Sequence, residues 1–384
     1  MTLLPKIDRL GGLLVLAGTA ASLWMPLVIH KPNRIAAGRD RFLQSFLDSS
    51  AGWLLLVVLL SAALLALLPG RARLRLLAAG MVLTILPLSA GMLATGLVAG
   101  STAARVSLGG AFWLLLGGGF LLLTDALVRL ALAPLHRLLV LAVCCLFFGC
   151  LFYSGLLNDL SVMREYAGRA DQFWREAGQH LQLALGSVGT ALILGLPLGL
   201  LCARVPRLRA GVLQTLSLIQ TIPSIALFGL LMVPLAWLAK TYPLLADLGI
   251  RGIGATPALI ALVLYALLPV VANTVLALEG VPAAVREAAF GMGFSPSQVL
   301  LKVDLPLGLP VILTGIRVVL VQSIGLVTIA GLIGGGGFGA FVFQGINQTA
   351  TDLVLLGALP TVTLAFSAAV LLDALVAATR TAAP

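Results

Sequence analysis

Apolar runs of roughly 20 residues recur along the whole of this chain, and no other feature narrows its fold so far. An α-helix needs about that length to cross the hydrocarbon core of a bilayer. The runs fall at about 10–29, 52–69, 76–99, 110–128, 136–157, 182–202, 211–238, 256–278, 310–332 and 353–378. Only 10% of the residues are charged and 60% are hydrophobic, against about 25% charged in a soluble domain. Lipid offers no partner to a backbone N–H or C=O, so each span must satisfy its own. The expected fold is an all-α polytopic membrane protein of about ten transmembrane helices.

The formal net charge of +10 needs no nucleic acid. Arginines at span ends, meeting anionic headgroups, account for it. Cys144, Cys145, Cys150 and Cys202 lie inside apolar runs without metal-ligand spacing and read as small packing residues. Small residues at Thr19-Ala20-Ala21 would suit a cleavage site, but the first run is longer than a signal peptide's apolar region. It reads as an uncleaved span after Lys6 and Arg9. The first half has short joints at 69–75, 100–109 and 129–137, and His30 and His136 stand alone at span ends. It holds no catalytic constellation and no polar cluster within its spans.

From 158 to 180 the chain turns polar. Leu160, Met163, Ala170, Phe173, Ala177 and Leu181 recur at helical spacing with charges of both signs between them. An amphipathic interfacial helix over 158–181, anchored by Phe173 and Trp174, is expected to divide a first region, 1–157, from a second, 182–384.

The second region carries a long polar interruption at 281–306, VPAAVREAAFGMGFSPSQVLLKVDLP. Pro282 suits a first helical turn, and 283–289 are strong helix formers with Arg286 and Glu287 on one charged face. Gly291 and Gly293 permit a turn with positive φ. Ser295-Pro296-Ser297-Gln298 has the form of a capping box, so a second short helix starts there. Pro306 and Pro310 are expected to end it before the next span. The reading is a helix–turn–helix elbow on the membrane surface.

The elbow's spacing resembles the EAA loop of binding-protein-dependent ATP-binding cassette (ABC) importers: Glu-Ala-Ala, three residues, Gly, nine residues, Ile-x-Leu-Pro. Here it is Glu287-Ala288-Ala289, Gly293, then Val303-Asp304-Leu305-Pro306, with Val for Ile the only departure. In such permeases the elbow sits in a groove of a cytoplasmic ATPase subunit. The resemblance implies that Glu287, Ala288, Ala289, Gly293, Val303, Leu305 and Pro306 couple to an ATPase dimer. It also implies an extracytoplasmic substrate-binding protein, and a second permease copy or a shorter sister permease. The place is the bacterial cytoplasmic (inner) membrane. ATP and Mg belong to the ATPase, and this chain is a transport subunit rather than an enzyme, with no cofactor of its own.

Stretches 220–227 (QTIPSIAL), 268–274 (LPVVANT) and 330–337 (AGLIGGGG) look like the osmoprotectant branch, which imports glycine betaine, choline or carnitine. Relative to its ordinary permeases this chain carries an N-terminal extension, similar to the longer permease of low-affinity betaine systems. The resemblance therefore makes 182–384 a five-span permease core with its coupling loop at 279–308, and 1–157 an accessory membrane region of about five spans.

A docking elbow must face the cytoplasm, and two spans separate it from the basic turn at 203–209, which then faces inward too. Carried back, this puts both termini inside. Thirteen of the 24 lysines and arginines then lie inside and ten outside, so the support is weak. The basic loop after the first run is the main offender. Within the later spans Gln220, Thr221, Pro223, Ser224, Asn273, Gln322 and Ser323 are candidates for the translocation path, because polar groups in lipid should face the bundle interior. Helix–helix glue is the competing reading. Arg317, about one turn into its span, is expected to snorkel.

Gly334 to Gly337 lack the following Lys-Ser or Lys-Thr of a Walker A loop, and read as a tight external turn between the last two spans. Another small polar solute such as an amino acid is an alternative cargo. A secondary transporter is disfavoured because Asp125 and Asp373 lie near span ends. A membrane scaffold leaves the elbow without a purpose.

Overall fold

The computed structural model describes residues 8–381 except 35, 70, 71, 100 and 102, so Lys6 lies outside the described residues. Nine of the helices described are long and apolar enough to cross a membrane. The chain forms two compact units, Met1–Gly168 and Arg169–Pro384.

The first unit contains α1 (Arg9–Trp24), α2 (Ser50–Leu67), α3 (Ala72–Val98), α4 (Gly110–Leu130), α5 (Pro134–Tyr153) and the short α6 (Ser161–Ala167). Helix α1 is shorter than the run expected over 10–29. Its 16 residues span about 24 Å at 1.5 Å per residue, less than the hydrocarbon core of about 30 Å. Pro26 disfavours helix at the residue before it, and the β-branched Val28 and Ile29 continue as a strand. Strands β1 (Val28–Lys31), β2 (Arg39–Arg41) and β3 (Arg105–Leu108) form an antiparallel sheet with β1 central. Val28 pairs with Arg41 on one side and Leu108 on the other. This sheet was not expected from the sequence. Val28 and Val106 bury one face of it, and with the preceding Leu27 they join a core shared with Leu55, Leu86 and Ala90.

At the other end of α3, Arg75 is buried between the carboxylates of Asp8 and Asp125. Arg129 joins Asp125 at 2.8 Å, making a four-residue ionic cluster. Asp8 also caps α1 by accepting from the Gly11 N–H at 2.9 Å. Two acids and two bases thus tie together one end of each of α1, α3 and α4. The side chains come from three helix ends far apart in sequence, which is why no polar cluster was visible in the runs.

The second unit contains α7 (Ala170–Arg204), α8 (Pro206–Thr221), α9 (Ser224–Thr241), α10 (Pro243–Asp247), α11 (Ala255–Glu279), α12 (Ala283–Gly291), α13 (Pro296–Val299), α14 (Leu305–Ala330), α15 (Gly339–Asn347) and α16 (Thr351–Thr381). Its centre is α11, whose Ala258, Ala261, Leu262, Ala266, Val270 and Val271 are all buried. Gly195 and Gly199 of α7 face it at GxxxG spacing. A Cβ on either would lie within 2.7 Å of Val270 or Thr274, so the two helices pack closely through small residues.

Three expected boundaries differ. The helix expected over 158–181 is two elements, because α6 ends at Gly168 and α7 runs unbroken from Ala170 through the next span. The span expected over 211–238 breaks into α8 and α9 at Ile222-Pro223, where Ile222 is extended, the conformation favoured before proline. The elbow's second helix does not stop at Pro306 and Pro310. It continues through a π-helical turn at Leu300–Asp304 into α14, with Pro306 in the first turn and Pro310 inside. The wider turn shifts the hydrogen-bond register where proline offers no N–H.

Candidate coupling surface and membrane interior

The elbow is built from short-range rules. Helix α12 ends at Gly291, and Gly293 then takes φ 84°. Gly291 has no positive φ, so one glycine makes the turn where two were expected. The capping box is formed: the Ser295 N–H donates to Gln298 Oε1 at 2.8 Å, and the Gln298 N–H to Ser295 Oγ at 3.3 Å. Lys302 lies over the Phe294 ring at 5.7 Å from its centroid.

Arg286 and Glu287, expected on one charged face, have opposite roles. Arg286 turns inward, where Nε donates to Asp304 Oδ1 at 2.7 Å and the guanidinium also donates to the Leu278 carbonyl. It pins α12 to the end of α11 and the start of α14. Arg209 pairs with Glu279 beside it. A cavity of about 140 Å³ lined by Leu200, Arg204, Glu279, Arg286 and Asp304 lies at this end. Glu287 and Ala288 are exposed, flanked by exposed Val285, Phe290, Met292 and Leu301. Of the other matched positions Gly293 and Pro306 are exposed, Ala289 is buried, and Val303 and Leu305 are half-buried. The elbow therefore offers a rigid, mostly apolar surface with one carboxylate.

None of the seven candidate path residues lines either of the two cavities described. Gln220 donates to the Tyr265 carbonyl at 2.7 Å, and the Tyr265 hydroxyl donates to the carbonyl of Ile222. The carbonyl next to Pro223 thus docks the α8–α9 break onto α11. Thr221 is exposed and bonds back to the Leu218 carbonyl at 2.7 Å, while Pro223 is exposed and Ser224 half-buried. Asn273 donates to the Pro269 carbonyl at 2.7 Å and packs against Gly315. Gln322 is half-buried and Ser323 is buried. Arg317, expected to snorkel, pairs instead with Asp373 of α16 at 2.6 Å.

At the end of this unit opposite the elbow lies a site missed in the sequence. His180 of α7 is completely buried. One ring nitrogen, Nε2, meets the Ile324 carbonyl of α14 at 3.0 Å, and Nδ1 accepts from the Phe338 N–H at 3.3 Å. The neutral ring with its proton on Nε2 satisfies both. Phe173 stacks on Phe341 and Phe338, and Arg169 donates to Gln344 at 3.0 Å. The amphipathic start of α7 thus lies on α15 and the glycine loop. In that loop Gly334, Gly336 and Gly337 take the positive φ a glycine turn uses, and the chain then enters α15 before the last span. The packed stripe runs from half-buried Phe173 and Ala177 to buried His180 and Ala184, where the expected register went through Leu181, which is 40% exposed. That 4-3-4 spacing was the available signal.

A bundle of apolar helices with a pinned helix–turn–helix elbow at one end, and no nucleotide loop of its own, has the build of a membrane permease driven by another protein. Residues 195–381 match the binding-protein-dependent transport system inner membrane component family. Residues 8–163 match the N-terminal domain of the ABC transporter permease YehY. The osmoprotectant import permease OsmW of Salmonella typhimurium is 44% identical over 181 residues, 47% of this chain and 79% of that protein. The carnitine transport permease OpuCB of Listeria monocytogenes is 37% identical over 49% of this chain and 78% of its own length. The choline transport permease OpuBD of Bacillus subtilis is 34% identical over 55% of this chain and 87% of its own. The chain belongs to the binding-protein-dependent inner membrane components, the permease subunits of ABC importers. It is a multi-pass transport subunit that works with a substrate-binding protein and a separate ATPase that hydrolyses the ATP.

Proposed function

We propose that this permease passes a small quaternary-ammonium osmoprotectant, such as glycine betaine, choline or carnitine, inward across the cytoplasmic membrane. The relatives named for those cargoes support the substrate class. The observation that carries the mechanism is the elbow, whose Glu287 and apolar neighbours are presented outward while Arg286 locks its inner face. In this reading the surface seats in one subunit of an ATPase dimer, which holds ATP and Mg, and both termini lie on the elbow's side of the membrane. The permease works as a pair, with a second copy or a shorter sister. The second unit carries transport, with Gln220, Thr221, Pro223, Ser224, Asn273, Gln322 and Ser323 along the path, and the first unit is accessory. The test is uptake of labelled glycine betaine, choline, carnitine and amino acids by membranes reconstituted with ATPase and binding protein. Uptake of an amino acid in preference to all three quaternary amines refutes the substrate class.

A further inference from the structure

The first unit contains an apolar crevice of about 230 Å³ between α1, α2 and α4. Its walls include Val15, Leu59, Leu115 and Leu122, with Gly118 opposite. Drug-sized ligands need about 300–1,000 Å³ and a few well-placed polar groups. Here the lining is mostly leucine, valine and alanine, and the Ser22 hydroxyl is already committed to the Gly18 carbonyl at 2.8 Å. The outer helix faces beside the crevice are strongly apolar, with Leu16, Leu60 and Leu64 each more than 60% exposed. In a bilayer they meet acyl chains. From Leu56 to Ala66 the crevice follows α2 for about 15 Å at 1.5 Å per residue. That is half of a hydrocarbon core of about 30 Å, the depth of one leaflet.

Leu43 and Gln44 close one end of the crevice, and they follow directly on β2. Alternation along β2 puts Arg39 and Arg41 on one face, across from His30 and Val28, and Asp40 on the other. Arg34 and Arg164 are paired with Glu165 and Asp159, whereas Arg39 and Arg41 have no ion pair among the described residues. Arg41 Nε and His30 Nε2 are buried without a hydrogen-bond partner. This is the basic loop that the positive-inside rule leaves unexplained. A leaflet-deep apolar slot with unpaired cations a few residues before its lining Leu43 and Gln44 is complementary to one molecule, and we infer that the crevice holds an acyl chain of an anionic phospholipid whose headgroup meets Arg39 and Arg41.

The test reconstitutes the full chain in phosphatidylcholine bilayers containing a minority of phosphatidylglycerol, and counts retained lipids by native mass spectrometry after detergent extraction. Each basic residue near an anionic surface contributes about a fivefold preference, so phosphatidylglycerol should be retained about five- to thirtyfold above its bilayer fraction. R39Q/R41Q should bring that ratio down to the bilayer composition while a lipid is still retained. A Cβ on Gly118 meets nothing within 4 Å, so Gly118→Leu should fill the slot and lose the tightly held lipid. Gly117→Leu, outside the crevice lining, should keep it. Retention of both lipids in bilayer proportion by the unmodified chain, or unchanged retention in Gly118→Leu, overturns the assignment. If Gly118→Leu does not insert, the headgroup ratio in R39Q/R41Q decides alone, and an unchanged ratio overturns it.

Discussion

Gly293 tests the coupling surface most sharply, because the structure separates backbone strain from crowding. Its φ is 84°, and a Cβ built on it meets nothing within 4 Å. A substitution there therefore changes the backbone preference alone. A residue with a Cβ costs about 1–2 kcal/mol in the left-handed region, and a β-branched one is a genuine outlier there. That energy is a factor of about 5–30 in the population of the native turn. The turn sets the angle between α12 and the helix starting at Ser295, so Gly293→Val should lower substrate-stimulated ATPase activity about 5–30-fold at equal membrane levels. Gly291 is the internal control. It also has free space for a Cβ but no positive φ, and Gly→Ala in a helix gains about 0.5–1 kcal/mol. Gly291→Ala should couple normally. Gly293→Asn should fall between, since Asn visits the left-handed region. ATPase stimulation by loaded binding protein in reconstituted complexes measures all three. Equal losses in Gly291→Ala and Gly293→Val, or no loss in either, would show that the turn does not set the coupling geometry.

Arg75→Met should destabilise the first unit, because it removes the buried cation that bridges half-buried Asp8 and Asp125 and leaves only the more exposed Arg129 beside them. Thermal unfolding in detergent should register this, and an unchanged midpoint refutes it. His180→Ala leaves the Phe338 N–H unpaired in a buried site, at about 1–3 kcal/mol, and strips the Ile324 carbonyl of its second bond. His180→Gln should recover part of the lost thermal stability, whereas equal loss in both variants means the ring acts by volume alone. A chain starting at Arg169, where the second unit begins, should still assemble with its ATPase and respond to loaded binding protein. Assembly without stimulation would place the first unit in the transport path.

What could be read in advance followed the range of the interaction concerned. The capping box, the proline at its first position and the turn at Gly293 are each encoded within a few residues and stand as expected, with Gly291 not needed for the turn. Pro223 marked a special position in the expected span, but the hydroxyl that docks the break there, from Tyr265, comes from another helix. Non-local pairings were out of reach. The sheet joins strands from 28, 39 and 105, and the Arg75 cluster draws on three helices. His180 was lost differently: at the edge of a polar stretch the helical stripe can be drawn through either of two adjacent residues. Only the bulk of Phe338 and Phe341 on one side decides between them.

The two ends of the second unit are held by different chemistry, and this predicts which yields first. At the elbow the ties are Arg286–Asp304 and Arg209–Glu279, all of them partly open to solvent. Exposed ion pairs contribute about 0–1 kcal/mol and weaken as salt shortens the Debye length. At the opposite end the ties are two neutral hydrogen bonds to a ring without exposure, under a layer of aromatic rings. Salt does not screen these. Helix α14 joins the two ends, from next to Asp304 to Ile324, over about 30 Å at 1.5 Å per residue. Hydrogen exchange at rising salt should therefore speed up over 283–304 while 324–341 stays protected. Equal acceleration at both ends would mean that the ionic ties at the elbow do not control its opening, and that the stiffness assigned to Arg286 lies elsewhere.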